Sequence, residues 1–292
     1  MVFGVVAAVA QHAATDTRLA LVSVIDKDGA AVIGLEPADL IVEEGTASGQ
    51  VLAVTPALYP VAVILDTSSF ARDDFQPLRD AARHFIGTLS ARDVVLYTSG
   101  TPATLLVDFT KDLGTVQGAV DHTFAQPTGT PHRFDAMIDA AHHLREREAR
   151  VTRMVVLSAG GPDSSARTPK DVLDAILASR SIVDVIDLRQ TRAAGSSNAA
   201  GTLNPRALTP RLRSDTDADV LLALSTRTLG RYERIVAASG YGPMLDKVRT
   251  QLLSEVLVEY VVPRDAHGLK VGVRLPGVVV RGVGLDEHSP PR

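Results

Sequence analysis

The chain contains no cysteine, so it has neither a disulfide framework nor a thiolate metal site, and a cysteine nucleophile is excluded. It also lacks any cluster of lysine and arginine. With a formal net charge of -4 it offers no basic footprint to a phosphate backbone, which argues against nucleic acid as a partner. No apolar stretch approaches the about 20 residues that a membrane-crossing helix needs, so a membrane span is not expected. The usual signatures of enzymatic sites are missing too. Ser68 and Ser158 have no Gly-x-Ser-x-Gly elbow, no Gly-x-Gly-x-x-Gly follows a strand, and there is no phosphate loop.

What is present is a chain of 292 residues with 45% hydrophobic content, enough to bury a full core as one large domain or two modest ones. Its first residues pair a short apolar run with Ala8-Val9-Ala10, the small-x-small form of a signal-peptidase site. No lysine or arginine precedes Arg18. Residues 1–16 therefore read as a signal-peptide remnant, implying export to the periplasm or the extracellular space, or else as a frayed end or short first strand.

From Arg18 the pattern is one of short strands. Leu19 to Ile25 leads through Asp26-Lys27-Asp28-Gly29, a hairpin signal because glycine accepts positive φ, into a strand over Ala31-Val32-Ile33. Leu40 to Gly45 and Gly49 to Val54 read as two more. Beyond Pro60, apolar strands alternate with amphipathic helices, which argues for a mainly parallel sheet covered on both faces. Asp73-Asp74 is expected to cap a helix with Pro77 in its first turn and Leu78, Ala81, Ala82, Phe85 and Leu89 facing inward. Further helices are expected over 113–122, 134–150, 169–180, 218–226 and 244–253. Residues 189–216 lack periodicity and read as a mobile loop. Three strands close the chain, over 256–262, 269–275 and 278–283. Too few strands stand at either end to bury a core alone, so the segments 17–58 and 255–285 are expected to pair into one small β-sandwich-like module beside an α/β domain over 59–254.

The most telling segment is Val61-Ala62-Val63-Ile64-Leu65-Asp66-Thr67-Ser68-Ser69-Phe70, an unbroken apolar run that stops on an aspartate followed by hydroxyls. Apolar residues on both faces describe a strand inside a parallel sheet, whose carboxyl end is where ligands sit. Asp66-Thr67-Ser68 resembles the start of the metal-ion-dependent adhesion site of von Willebrand factor A domains, which reads Asp-x-Ser-x-Ser. Phe70 stands at the last serine position. Gln126-Pro127-Thr128-Gly129-Thr130 supplies the family's threonine as Thr130. Where the family has Ser-Asp-Gly after a later strand, this chain has Ser158-Ala159-Gly160, with Asp163 as a displaced carboxylate. The layout is also similar to bacterial von Willebrand factor A-related proteins, through Asp26-Lys27-Asp28-Gly29, Glu43-Glu44-Gly45, Thr228-Leu229-Gly230-Arg231-Tyr232 and Glu259-Tyr260. The resemblance implies a doubly wound, Rossmann-like α/β domain with a non-enzymatic, adhesion-type role in binding a protein ligand.

A magnesium ion takes hard oxygens from one or two carboxylates, hydroxyls and waters. Asp66, Ser68, Thr130 and Asp163 are the candidate ligands the resemblance implies. Phe70 removes a hydroxyl and Ala159 a charge, so the expectation is a degenerate site with no cofactor, or with weakly bound magnesium or manganese. Two other readings stay open: a magnesium-dependent binding site completed by water, and a hydrolase built on Asp66. The bland reading is that Asp66, Thr67 and Ser68 satisfy loop amides and helix ends. The stripe Asp135, Asp139 and His143 reads as a solvated helix face.

Overall fold

The computed structural model describes residues 15–189 and 217–285. The leader-like run Ala8-Val9-Ala10, and nearly all of the segment expected as a mobile loop, lie outside the described residues. In chain order the first elements are β1 (Thr15–Asp26), β2 (Leu40–Glu44), β3 (Ala47–Pro56), β4 (Val61–Leu65), α1 (Phe75–Gly87), β5 (Val94–Thr98), β6 (Thr104–Thr110), α2 (Leu113–Asp121) and α3 (Arg133–Glu146). They are followed by β7 (Thr152–Ser158), α4 (Pro169–Ala178), β8 (Ser181–Leu188), α5 (217–227), β9 (Tyr232–Ile235), α6 (Tyr241–Ser254), β10 (Glu255–Pro263), β11 (Leu269–Val273) and β12 (Val278–Gly284). Contacts divide the described residues into two units, one within 58–249 and one built from the end segments 15–57 and 250–285.

The end segments interleave in one antiparallel six-stranded sheet of order β11-β2-β3-β10-β1-β12. β1 lies between two C-terminal strands, pairing β10 on one side and β12 on the other. Alternation sets the inner face: Ala20, Val22 and Val24 of β1 meet Leu40 and Val42 of β2 and Val256, Val258, Tyr260 and Val262 of β10. The sandwich-like module is thus a single curled sheet, nearly closed. Its edges approach where a Cβ on Gly282 of β12 would stand 2.5 Å from Val271 Cγ2 of β11. A polar group that links several strands enters this interior. Glu44 is 4% exposed, accepts from Tyr260 Oη at 2.6 Å, and is paired with Arg18. Arg18 also donates to the carbonyls of Ala266 and Arg264, so strands from both ends of the chain share one ion pair.

The Asp26 turn forms as expected. Asp26 Oδ1 accepts from the amides of Asp28 and Ala30, and Gly29 takes φ 82. The strand expected after it does not form. Pairing stops at an isolated bridge between Ile25 and Ala31, because Gly34, at φ 77, turns the chain away and leaves Ile33 78% exposed.

In the other unit a six-stranded sheet has the order β6-β5-β4-β7-β8-β9. All its pairs are parallel except β5 with β6. β4 is buried along its whole length, which explains its unbroken apolar sequence. Ala62, Ile64, Val95, Tyr97, Met154 and Val156 face a layer from α3, α4 and α5 that includes Phe134, Met137, Leu144, Ile176 and Leu221. Strand order runs outward from β4 in both directions, so right-handed crossovers place α1 and α3 on opposite faces. α1 buries Phe75, Leu78, Ala82, Phe85 and Ile86.

Some details differ from the sequence reading. α1 starts at Phe75, directly after Asp74 as expected, but behind a 3-10 turn, Arg72–Asp74, and without a side-chain cap from Asp74. α3 ends at Glu146, short of Arg150, where Glu148 adopts φ 51 and stops the helix. β9 was not expected at all. It joins the sheet edge through four mixed residues whose pattern carries no periodicity.

At the base of the sheet Arg153 and Asp184, both fully buried, form a 2.6 Å ion pair, and Arg153 also donates to Tyr59 Oη. Just ahead of β9, the chain crosses β8 at Gly230, where an added Cβ would stand 2.0 Å from the Val183 carbonyl oxygen. Gly230→Ala should therefore destabilise the fold by several kcal/mol, on the order of a severe overpacking change. Gly118→Ala, in α2 with nothing within 4 Å of the new methyl, should instead stabilise it by about 0.5–1 kcal/mol. Chemical denaturation of both variants checks this, and equal shifts would contradict the proposed close approach.

Candidate functional site

Strand order reverses at β4, so its carboxyl end opens between β5 and β7, the place where doubly wound sheets bind ligands. Four loops meet there and are stitched by main-chain bonds. The Thr67 carbonyl accepts from Gln126 N, the Gly129 carbonyl from Ser69 N and Oγ, the Ser99 carbonyl from His132 N, and the Pro131 carbonyl from Ser164 N. Phe70 lies flat on the last of these loops. A Cβ on Gly161, which takes φ 77, would stand 2.6 Å from the Phe70 ring.

Asp66 is fully buried at the centre. Its Oδ1 accepts from Ser68 N and its Oδ2 from Ala159 N, each at 2.9 Å. Burial pushes the Asp66 carboxyl above the ordinary carboxylate range, opposed by the nearby Arg133 and by these hydrogen bonds. Ser68 Oγ lies near enough to favour the charged form, yet it is buried without a bond of good hydrogen-bond geometry.

The cation at this centre is Arg133, the first residue of α3 and only 2% exposed. Nη1 donates to Gly160 O at 2.7 Å and Ser158 Oγ at 3.2 Å, and Nη2 donates to Gly161 O at 2.7 Å. The same guanidinium stands 3.9 Å from Asp66 Oδ2 and 3.5 Å from Asp163 Oδ2. Asp163 binds this residue twice over, because its Oδ2 also accepts the Arg133 amide at 2.7 Å. That amide is one of the unpaired donors at a helix start, and a carboxylate there also meets the positive end of the helix dipole. Beneath lies a second polar layer. Ser158 Oγ donates to Asp187, Tyr241 Oη donates to the Ser158 carbonyl, and Asp217 accepts from Asp163 N.

Asp66 and Asp163 thus come together around one guanidinium, with Ser68 attached to Asp66 through its amide. Thr130 sits on the neighbouring loop, where its carbonyl accepts from Thr101 Oγ1. The residue the sequence reading missed is Arg133. Its signal was present, since Arg133, Met137, Ala140, Ala141 and Leu144 share one helical stripe and the last four are fully buried. A charge on such a stripe needs partners.

These residues do not fit a divalent ion. Both Asp66 oxygens hold main-chain amides, Ala159 brings a methyl where the resemblance calls for a carboxylate, and a fixed positive charge already stands between Asp66 and Asp163. Among the described residues, no group of three or more His, Asp or Glu side chains is placed to hold a metal ion. His143, on the stripe read as a solvated face, bonds Tyr97 Oη through Nδ1 at 2.7 Å, while Asp139 is exposed.

A sheet that reverses its order at a strand ending in Asp-x-Ser, with loops converging over that strand, defines a doubly wound α/β domain. Residues 61–179 match the family described as von Willebrand factor type A domain, and over that stretch the α/β unit is similar to the family. Among solved structures, a von Willebrand factor type A protein from Catenulispora acidiphila is similar with a TM-score of 0.52 and 10% identity, over 94% of this chain and 74% of that one. Proximal thread matrix protein 1 from the mussel byssus is similar with a TM-score of 0.50 and 10% identity, over 78% of this chain and 51% of that one. BatB from Bacteroides thetaiotaomicron, a conserved hypothetical protein, gives 0.49 and 12% identity over 66% of this chain and 98% of its own. At such identities the likeness shows the fold alone. No curated protein matches the chain. Among the described residues, no helix is long and apolar enough to cross a membrane.

Burial also raises the phenols of Tyr97, Tyr232 and Tyr241, with nearby carboxylates adding to it: Asp139 at Tyr97, Asp187 at Tyr232, and Asp66 at Tyr241. The unfolded chain releases these protons near the ordinary 10.0 while the folded chain keeps them. Their contribution to stability is therefore full below pH 10 and is lost as pH rises above it. The sequence has no tryptophan, so tyrosinate absorbance reads the titration cleanly. These groups should ionise only as circular dichroism reports unfolding, and Tyr241→Phe should flatten the alkaline loss. Ionisation of every tyrosine in a still-folded chain would contradict the assignment.

Proposed function

We propose that this protein is a non-enzymatic binding module that takes a protein ligand at the loop face above β4, without a tightly held divalent ion. The observation that carries the reading is the Arg133 guanidinium between Asp66 and Asp163, which gives the site's carboxylates an internal partner. The similarity over residues 61–179 supports the binding role, because domains of this type generally act as interaction modules. The chemistry of the site supports the absence of catalysis. A nucleophile must be reachable by substrate as well as paired with a base, whereas Ser158 Oγ, which donates to Asp187, is fully buried, and His132 is paired with Asp135.

The loop face still offers ligand-facing surface at its rim. Arg72, Asp73, Thr101, Pro102 and Thr128 are exposed on loops held by a rigid sheet, the arrangement in which binding residues are commonly presented. Capture of a protein partner should be unchanged by EDTA and lost in a Thr101→Arg/Thr128→Arg double variant that still folds. EDTA-sensitive capture, or capture indifferent to the double variant, would overturn the proposal. So would turnover of an ester or phosphate substrate that Asp66→Ala abolishes.

A further inference from the structure

We infer that Arg133 is a tethered substitute for a site cation: its guanidinium occupies the space between Asp66 and Asp163 and excludes divalent ions by charge. This inference rests on the loop face being the binding surface, and it specifies how that face is kept assembled. Three segments carrying negative charge or carbonyl dipoles converge on the residue: the end of β4 through Asp66, the end of β7 through Ser158, and the following loop through Gly160, Gly161 and Asp163. A planar fork of donors suits such a set better than a point charge, because it can bond several acceptors lying in different directions at once. The residue is also held by its own backbone amide on Asp163, which anchors the start of α3 beside the cation.

Two consequences follow from the geometry. The loops above β4 remain assembled whatever the divalent-ion concentration, since the positive charge they need is part of the chain. A partner's carboxylate, moreover, has no direct access to that charge, because Arg133 is only 2% exposed. Recognition then falls to the rim. Taking the guanidinium away would leave two carboxylates, the unpaired Ser68 hydroxyl and the Ser158 hydroxyl around a vacated volume, a hard-oxygen set of the sort that magnesium and manganese accept with water.

Mn2+ titration of the full chain, read by calorimetry and by electron paramagnetic resonance, tests the inference without any partner protein. Wild type should show no binding that depends on Asp66. Arg133→Gln and Arg133→Ala should bind Mn2+ about tenfold or more tightly than wild type. Adding Asp66→Ala to either should abolish the gain. Arg133→Lys, which keeps the charge, should stay silent, whereas Arg133→Met, which keeps much of the bulk without the charge, should gain binding as Gln does; together they separate exclusion by charge from exclusion by bulk. Circular dichroism establishes which variants are folded. Asp66-dependent Mn2+ binding or thermal stabilisation by Mn2+ in wild type would overturn the inference, even if every variant failed to fold. A folded Gln variant that gains no binding would overturn it as well. The capture experiment stands apart from these readouts, so failure of the ion-exclusion inference is distinguishable from failure of the protein-binding reading.

Discussion

The buried positive charge of Arg133 is the constraint around which the loop face is organised. Opposite unit charges about 4 Å apart attract by about 4 kcal/mol at an effective dielectric of about 20, while removing each from water costs several kcal/mol. The ion pairs alone therefore come out near balance. What makes the arrangement stable is that the guanidinium also bonds the carbonyls of Gly160 and Gly161 and the hydroxyl of Ser158, and that each Asp66 oxygen receives a main-chain amide. A guanidinium whose two terminal nitrogens are bonded in this way holds the strand ends in one geometry.

The same logic appears twice more, away from the loop face. Arg153 and Asp184 join β7 to β8 at the base of the sheet, with Asp184 also accepting the Arg231 amide ahead of β9. In the unit built from the chain ends, Arg18, Glu44 and Tyr260 join strands that are far apart in sequence. In each case an arginine is desolvated only where carboxylates and carbonyls or hydroxyls surround it. Pairs of this kind add little net stability over apolar packing, but removing one partner strands a buried charge, so they specify one arrangement.

Much of this was legible in sequence. The unbroken run Val61 to Leu65 announced a strand buried on both faces, and the residues after it placed Asp66 at a ligand-accepting edge. Alternation marked both β-rich ends, and the scarcity of strands at each end required them to combine. Short or mixed elements were not legible. Tyr232–Ile235 becomes a strand only because β8 offers it a free edge, and Ala31 to Ile33 fails to become one because Gly34 redirects the chain. The near closure of the terminal sheet depends on Gly282 meeting Val271, a contact between strands whose register no local pattern reveals.

Sequence by itself determined the class of fold, the position of Asp66 and the departures from the family pattern at Phe70 and Ala159, because all of these are written in local order and periodicity. Tertiary structure decided what became of the carboxylates. Arg133 is distant in sequence from both Asp66 and Asp163, and only the winding of α3 back over the sheet brings its guanidinium between them. Local sequence sets where a charge stands on its own element, whereas the partner of a buried charge is chosen by packing between elements.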